Sequence, residues 1–133
     1  MTLSWSSRSV EAFKDEDVIL PCHLNLNANP THLIVEWTRS DPKPGKVHVY
    51  KDGNDSFGDQ LSDYKGRTSL FKDELKNGNF SLKLFRVTPS DNGDYTCFLP
   101  PNGPEENIRL KVDRLSKEQE QTIKEYEITK KGN

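Results

Sequence analysis

Two cysteines, a tryptophan and a tyrosine constrain this chain more than any other feature. Cys22 ends the run Val18-Ile19-Leu20-Pro21-Cys22, and Trp37 ends Ile34-Val35-Glu36-Trp37. Tyr95 stands two residues before Cys97 in Asp91-Asn92-Gly93-Asp94-Tyr95-Thr96-Cys97. Apolar residues at every second position mark a strand with one face to the core and one to solvent. Short segments of this kind, separated by turn residues, continue to about residue 113. They predict an all-β sandwich of about nine antiparallel strands in two sheets. The expected strands cover 9–13, 17–24, 33–39, 46–51, 67–71, 80–87, 93–99 and 107–112, with a short edge strand inside 55–63. Alternation turns Val47 and Val49 inward and leaves His48 and Tyr50 outward. Phe80, Leu82, Leu84, Ile108, Leu110 and Val112 face the core. Asp41-Pro42-Lys43-Pro44-Gly45 and Asp52-Gly53-Asn54 read as turns, and Asn77-Gly78 as a hairpin turn.

A chain of 133 residues has room for one domain with one core. Only 32% of its residues are hydrophobic and 30% are charged, so that core is thin. The formal charge of −2 gives no overall attraction to nucleic acid or anionic lipid. No apolar run is long enough to cross a bilayer. His23, His32 and His48 fall in different expected elements without ligand spacing, and read as solvent-exposed rather than metal-binding. No phosphate loop, nucleophile elbow, zinc-protease or calcium-loop pattern occurs. Neither a catalytic residue nor a cofactor is expected.

Cysteine, tryptophan and tyrosine-x-cysteine at this spacing resemble the V-type immunoglobulin domain. The long interval from Trp37 to Cys97 accommodates the extra strand pair of that type. The resemblance implies that Cys22 and Cys97 bridge the facing sheets, with Trp37 packed against the bridge. It implies that the Tyr95 hydroxyl bonds to backbone at a corner, and that Arg67 forks onto Asp91 to close one end of the sandwich. With only two cysteines, both on expected facing strands, a structural disulfide and an oxidising compartment follow. Two unpaired buried thiols are the other reading.

The likeness narrows further. Leu20-Pro21-Cys22-His23-Leu24, Val35-Glu36-Trp37-Thr38-Arg39, Val47-His48-Val49-Tyr50-Lys51-Asp52-Gly53 and Tyr64-Lys65-Gly66-Arg67-Thr68 resemble the butyrophilin group, which includes myelin oligodendrocyte glycoprotein. So does the stretch from Leu82 that ends in Asp91-Asn92-Gly93-Asp94-Tyr95-Thr96-Cys97-Phe98. Such proteins are type I membrane glycoproteins related to costimulatory and coinhibitory ligands. The resemblance therefore implies an extracellular domain that binds a cell-surface protein receptor and modulates T-cell activation. Homophilic adhesion by a homodimer is the alternative.

Residues 1–8 read as an N-terminal extension, 9–113 as the V-type domain and 114–133 as a charged stalk. Ser116 with Gln119 offers a helix N-cap, so the stalk is either a frayed helix or disordered. Met1-Thr2-Leu3-Ser4-Trp5 lacks the basic start and apolar core of a signal peptide. The chain is accordingly expected to be a mature ectodomain fragment of a product that continues at both ends. With Trp37 and Cys97 inward, alternation sends Ile34, Glu36, Thr38, His48, Tyr50, Thr96 and Phe98 onto one outer sheet face. Those residues, with the loop Leu99–Glu105 that follows, form the expected partner-binding surface. Asn54-Asp55-Ser56 and Asn79-Phe80-Ser81 fit the N-glycosylation pattern, while proline blocks Asn29-Pro30-Thr31.

Overall fold

The computed structural model describes residues 8–25 and 29–132. Residues 1–7 of the expected extension, residues 26–28, and residue 133 at the end of the expected stalk lie outside the described residues. Among the described residues there are nine strands: β1 (Arg8–Ala12), β2 (Val18–Leu20), β3 (Ile34–Asp41), β4 (Gly45–Lys51), β5 (Asn54–Ser56), β6 (Thr68–Leu70), β7 (Leu82–Leu84), β8 (Gly93–Phe98) and β9 (Glu105–Val112). They form a six-stranded sheet in the order β1-β9-β8-β3-β4-β5 and a three-stranded sheet in the order β2-β7-β6. The pairings are antiparallel except that β1 runs parallel to β9. One α-helix, α1 (Lys117–Lys131), follows the last strand.

Alternation explains the core. Along β9, Ile108, Leu110 and Val112 are buried while Asn107, Arg109 and Lys111 are exposed. Leu82 and Leu84 of β7 and Val18 and Leu20 of β2 do the same from the facing sheet. Between the layers, Cys22 and Cys97 are joined, with their Cα atoms 6.4 Å apart and 75 residues between them in sequence. Closing a loop of that length stabilises the fold by about 4 to 5 kcal/mol on the chain-entropy account. Trp37 is fully buried beside the bridge, and its indole N–H donates to the Phe80 carbonyl at 2.8 Å. A buried indole keeps its hydrogen bond, as it must to avoid a desolvation cost.

One end of the sandwich is closed by a polar cluster. The Tyr95 hydroxyl donates to the Asp91 carbonyl at 2.6 Å and contacts the Tyr64 hydroxyl at 2.7 Å. Burial, with Tyr64 alongside, pushes the Tyr95 phenol up, so it remains a donor. Arg67 forks onto Asp91, its two terminal nitrogens 2.6 and 3.2 Å from the carboxylate oxygens. Burial opposes the Arg67 charge, but the Asp91 carboxylate outweighs it and holds the guanidinium above its usual range. A second guanidinium, from Arg39, is only 4% exposed. It donates to the Asp41, Ser90 and Asn92 carbonyls and to the Tyr64 hydroxyl, and lies over the Tyr64 and Tyr95 rings. The sequence reading did not single it out.

Two expectations are corrected. Asn77-Gly78 does not make a hairpin: residues 72–77 form a 3-10 helix that ends at Gly78, whose φ of 83° is left-handed. Its N–H donates to the Leu75 carbonyl at 3.1 Å. Asn-Gly supplies positive φ to a helix C-terminus as readily as to a hairpin, and local sequence does not separate the two. The tight hairpin lies instead between β4 and β5, where Asp52 (φ 48°) and Gly53 (φ 92°) turn the chain. The second correction concerns β4. Its register against β3 shifts at Trp37/Thr38, so that His48 faces Trp37 while Lys46 faces Thr38. Val47 is the extra residue of a β-bulge, and a bulge reverses the alternation beyond it.

Candidate recognition face

The outer face of the six-stranded sheet is laid out in cross-strand rows. One row runs Asn54–Lys51–Ile34, and the next Ser56–Val49–Glu36–Phe98–Glu105. A third runs Lys46–Thr38–Thr96–Asn107. Ile34, Val49 and Phe98 are half-buried, and they form the apolar centre of the face. Around them stand Glu36, Lys46, Glu105 and, farther down, the Arg109–Asp94 pair at 2.7 Å. Lys46 lies 3.8 Å from Glu36 and 3.9 Å from Asp59. Exposed pairs at such distances contribute little to stability and remain available to a partner.

Of the residues expected on this face, Ile34, Glu36, Thr38, Thr96 and Phe98 lie on it. His48 and Tyr50 do not. They are 1% and 4% exposed, because the bulge at Val47 turns both inward and brings Val49 out instead. His48 is thus not a solvent-exposed histidine. Its Nδ1 lies 2.8 Å from the Thr68 hydroxyl, and its Nε2 lies 2.8 Å from Asp55. Asp55 is also held by Lys72 at 2.8 Å. Leu99 is likewise buried, at 7% exposure, and works from beneath the surface: its carbonyl accepts from Gly103 N–H at 2.8 Å and anchors the proline-rich loop. Pro100, half-buried above it, lines a shallow groove with Ile34, Val49, Glu36, Lys46 and Lys51. Val49, which the bulge brings outward, was missed by the alternation pattern. A bulge leaves no mark in composition that would have revealed it.

The two glycosylation sequons differ in setting. Asn54 and Ser56 are exposed on the recognition face. Asn79 is half-buried, its side-chain oxygen accepts from Ser81 N–H at 3.1 Å, and the Ser81 hydroxyl accepts from Cys22 N–H at 3.1 Å. Among the described residues no cluster of ligand side chains could hold a metal ion, and no helix is long and apolar enough to cross a membrane.

A half-buried apolar centre on a regular outer sheet, rimmed by charge, is the form of a protein-docking surface. The immunoglobulin V-set domain model matches residues 6–127, and the chain belongs to the immunoglobulin V-set family. Within it, the chain is related to butyrophilins and myelin-oligodendrocyte glycoprotein. Human butyrophilin subfamily 1 member A1 is 38% identical over 102 residues, 75% of this chain and 19% of that protein. Human myelin-oligodendrocyte glycoprotein is 37% identical over 106 residues, 78% of this chain and 42% of that protein. The chain thus spans well under half the length of either. A chain in the crystal structure of ICOS in complex with ICOS-L and an anti ICOS-L VNAR domain aligns with a TM-score of 0.72 at 25% identity, over 80% of this chain and 55% of that one.

Proposed function

We propose that this chain is the extracellular recognition domain of a type I membrane protein. It docks a protein receptor on another cell through the outer face of the six-stranded sheet, and so modulates T-cell activation. The observation that carries this reading is the apolar centre of Ile34, Val49 and Phe98 inside a charged rim. Buried aromatic and aliphatic anchors ringed by polar groups supply most of the binding energy in protein interfaces. The disulfide across the core supports an oxidising, extracellular setting. The aligned complex of ICOS with ICOS-L supports docking of a protein partner by a domain of this fold.

Culturing receptor-stimulated T cells on immobilised domain tests the proposal. Wild-type domain should change proliferation in a dose-dependent manner, and a folded Ile34→Ala/Phe98→Ala variant should not. Equal responses to both proteins would refute docking through this face. Sedimentation of the soluble domain separates homophilic adhesion: a concentration-dependent dimer lost in the same variant would replace the receptor reading.

A further inference from the structure

The sequon at Asn54 occupies a place that alternation alone did not disclose. Asn54 pairs with Lys51, which pairs with Ile34, so the three side chains form one row on the recognition face. Ser56 pairs with Val49 in the adjacent row. Strand neighbours stand about 4.8 Å apart, which puts Asn54 roughly 10 Å from Ile34 across the sheet. Acceptor and hydroxyl of this sequon are both exposed and point the same way, two residues apart on an edge strand. The residue between them points into the molecule, where Asp55 is held by His48 and Lys72, each at 2.8 Å. That clamp fixes which side of β5 faces outward. At Asn79, by contrast, the intervening Phe80 and the hydroxyl-bearing Ser81 are built into the core, at 0% and 2% exposure.

We propose that Asn54 carries an N-linked glycan that stands on the β5 side of the recognition face and covers Lys51 and Ser56. The partner's footprint is thereby confined to the side formed by Val49, Ile34, Thr38, Thr96, Phe98 and the loop at 99–104. A branched sugar is bulky, hydrated and mobile, so a protein surface does not pack over its root. The footprint rests on the receptor-docking reading above; occupancy of Asn54 stands apart from it.

The test expresses residues 1–133 behind a secretion leader in eukaryotic cells and digests the product with trypsin. Peptide 52–65 contains Asn54 and no other sequon. It should carry a glycan in wild-type and Ser56→Thr proteins, and be unmodified in Asn54→Gln. An unmodified 52–65 peptide in secreted wild-type protein overturns the proposal and leaves the docking reading intact. On the glycosylated domain, Lys51→Glu should change lymphocyte staining by less than about twofold, as a surface change outside the contact does, while Phe98→Ala lowers it by about tenfold or more. A tenfold loss from Lys51→Glu would overturn the confined footprint. Staining unmoved by either substitution, on a domain whose peptide is glycosylated, would overturn the docking reading instead.

Discussion

Asp55 accepts hydrogen bonds from His48 and Lys72, each at 2.8 Å. Burial alone would raise its pKa, but the bonds from Lys72 and His48 outweigh that and hold the carboxyl below its usual range. A carboxylate that binds its proton less tightly in the folded chain stabilises the fold above the unfolded value of about 3.9. That contribution disappears as pH falls through the lowered folded value. Urea unfolding measured between neutral pH and pH about 2 should therefore show an acid limb that is shallower in Asp55→Asn than in wild type. Asparagine retains an acceptor for His48 but not the charge; identical pH profiles would contradict this account. Asp91 is 2% exposed and shares its carboxylate between the Arg67 fork and the Thr88 N–H at 2.9 Å. Asp91→Ala removes the counter-charge of Arg67 and leaves it only the Phe85, Asp63 and Arg86 carbonyls, and the expected loss is about 3 to 5 kcal/mol, measurable by thermal or denaturant unfolding. Legibility at this scale was uneven. The Arg67–Asp91 contact was implied by a resemblance, whereas Arg39 is satisfied mostly by carbonyls that no sequence pattern names.

The inward faces of β2, β7, β8 and β9 could be read from alternation because those strands keep an unbroken period of two. β4 could not. A single inserted residue at Val47 exchanges the roles of Val49 and Tyr50, and either assignment fits Lys46-Val47-His48-Val49-Tyr50 equally well. The two assignments make opposite demands on stability. Tyr50→Ala should cost about 3 to 5 kcal/mol as a truncated core aromatic, and Val49→Thr should stay within about 0.5 kcal/mol as a surface change. Denaturant midpoints reversed between the two variants would mean that β4 is not bulged. α1 presents a different case: its capping box is visible in the sequence and formed in the structure, with Ser116 Oγ accepting from Gln119 N–H at 3.1 Å. It has no buried residue, however. Removing residues 117–131 should shift the melting temperature of the sandwich by less than about 2 °C, since about 1 kcal/mol corresponds to several degrees in a domain of this size. A larger drop would show that the helix packs on the β-core.

At the scale of the molecule, the two sheets divide the work. The facing layers bury Trp37, Phe80, Leu82 and the disulfide, and the closed polar end fixes how the layers meet. The six-stranded sheet presents Ile34, Val49 and Phe98 outward. The three-stranded sheet presents Ile19, 51% exposed, beside Lys83 and Ser69 of the same row. Both outer faces thus carry exposed apolar side chains, but only the larger one gathers several within a charged rim. Staining of lymphocytes with multimers of the domain compares them directly. Ile34→Ser/Phe98→Ser should lower staining by about tenfold or more while Ile19→Ser leaves it within about twofold. The opposite result, loss with Ile19→Ser and retention with Ile34→Ser/Phe98→Ser in folded proteins, would place recognition on the other sheet and contradict the account.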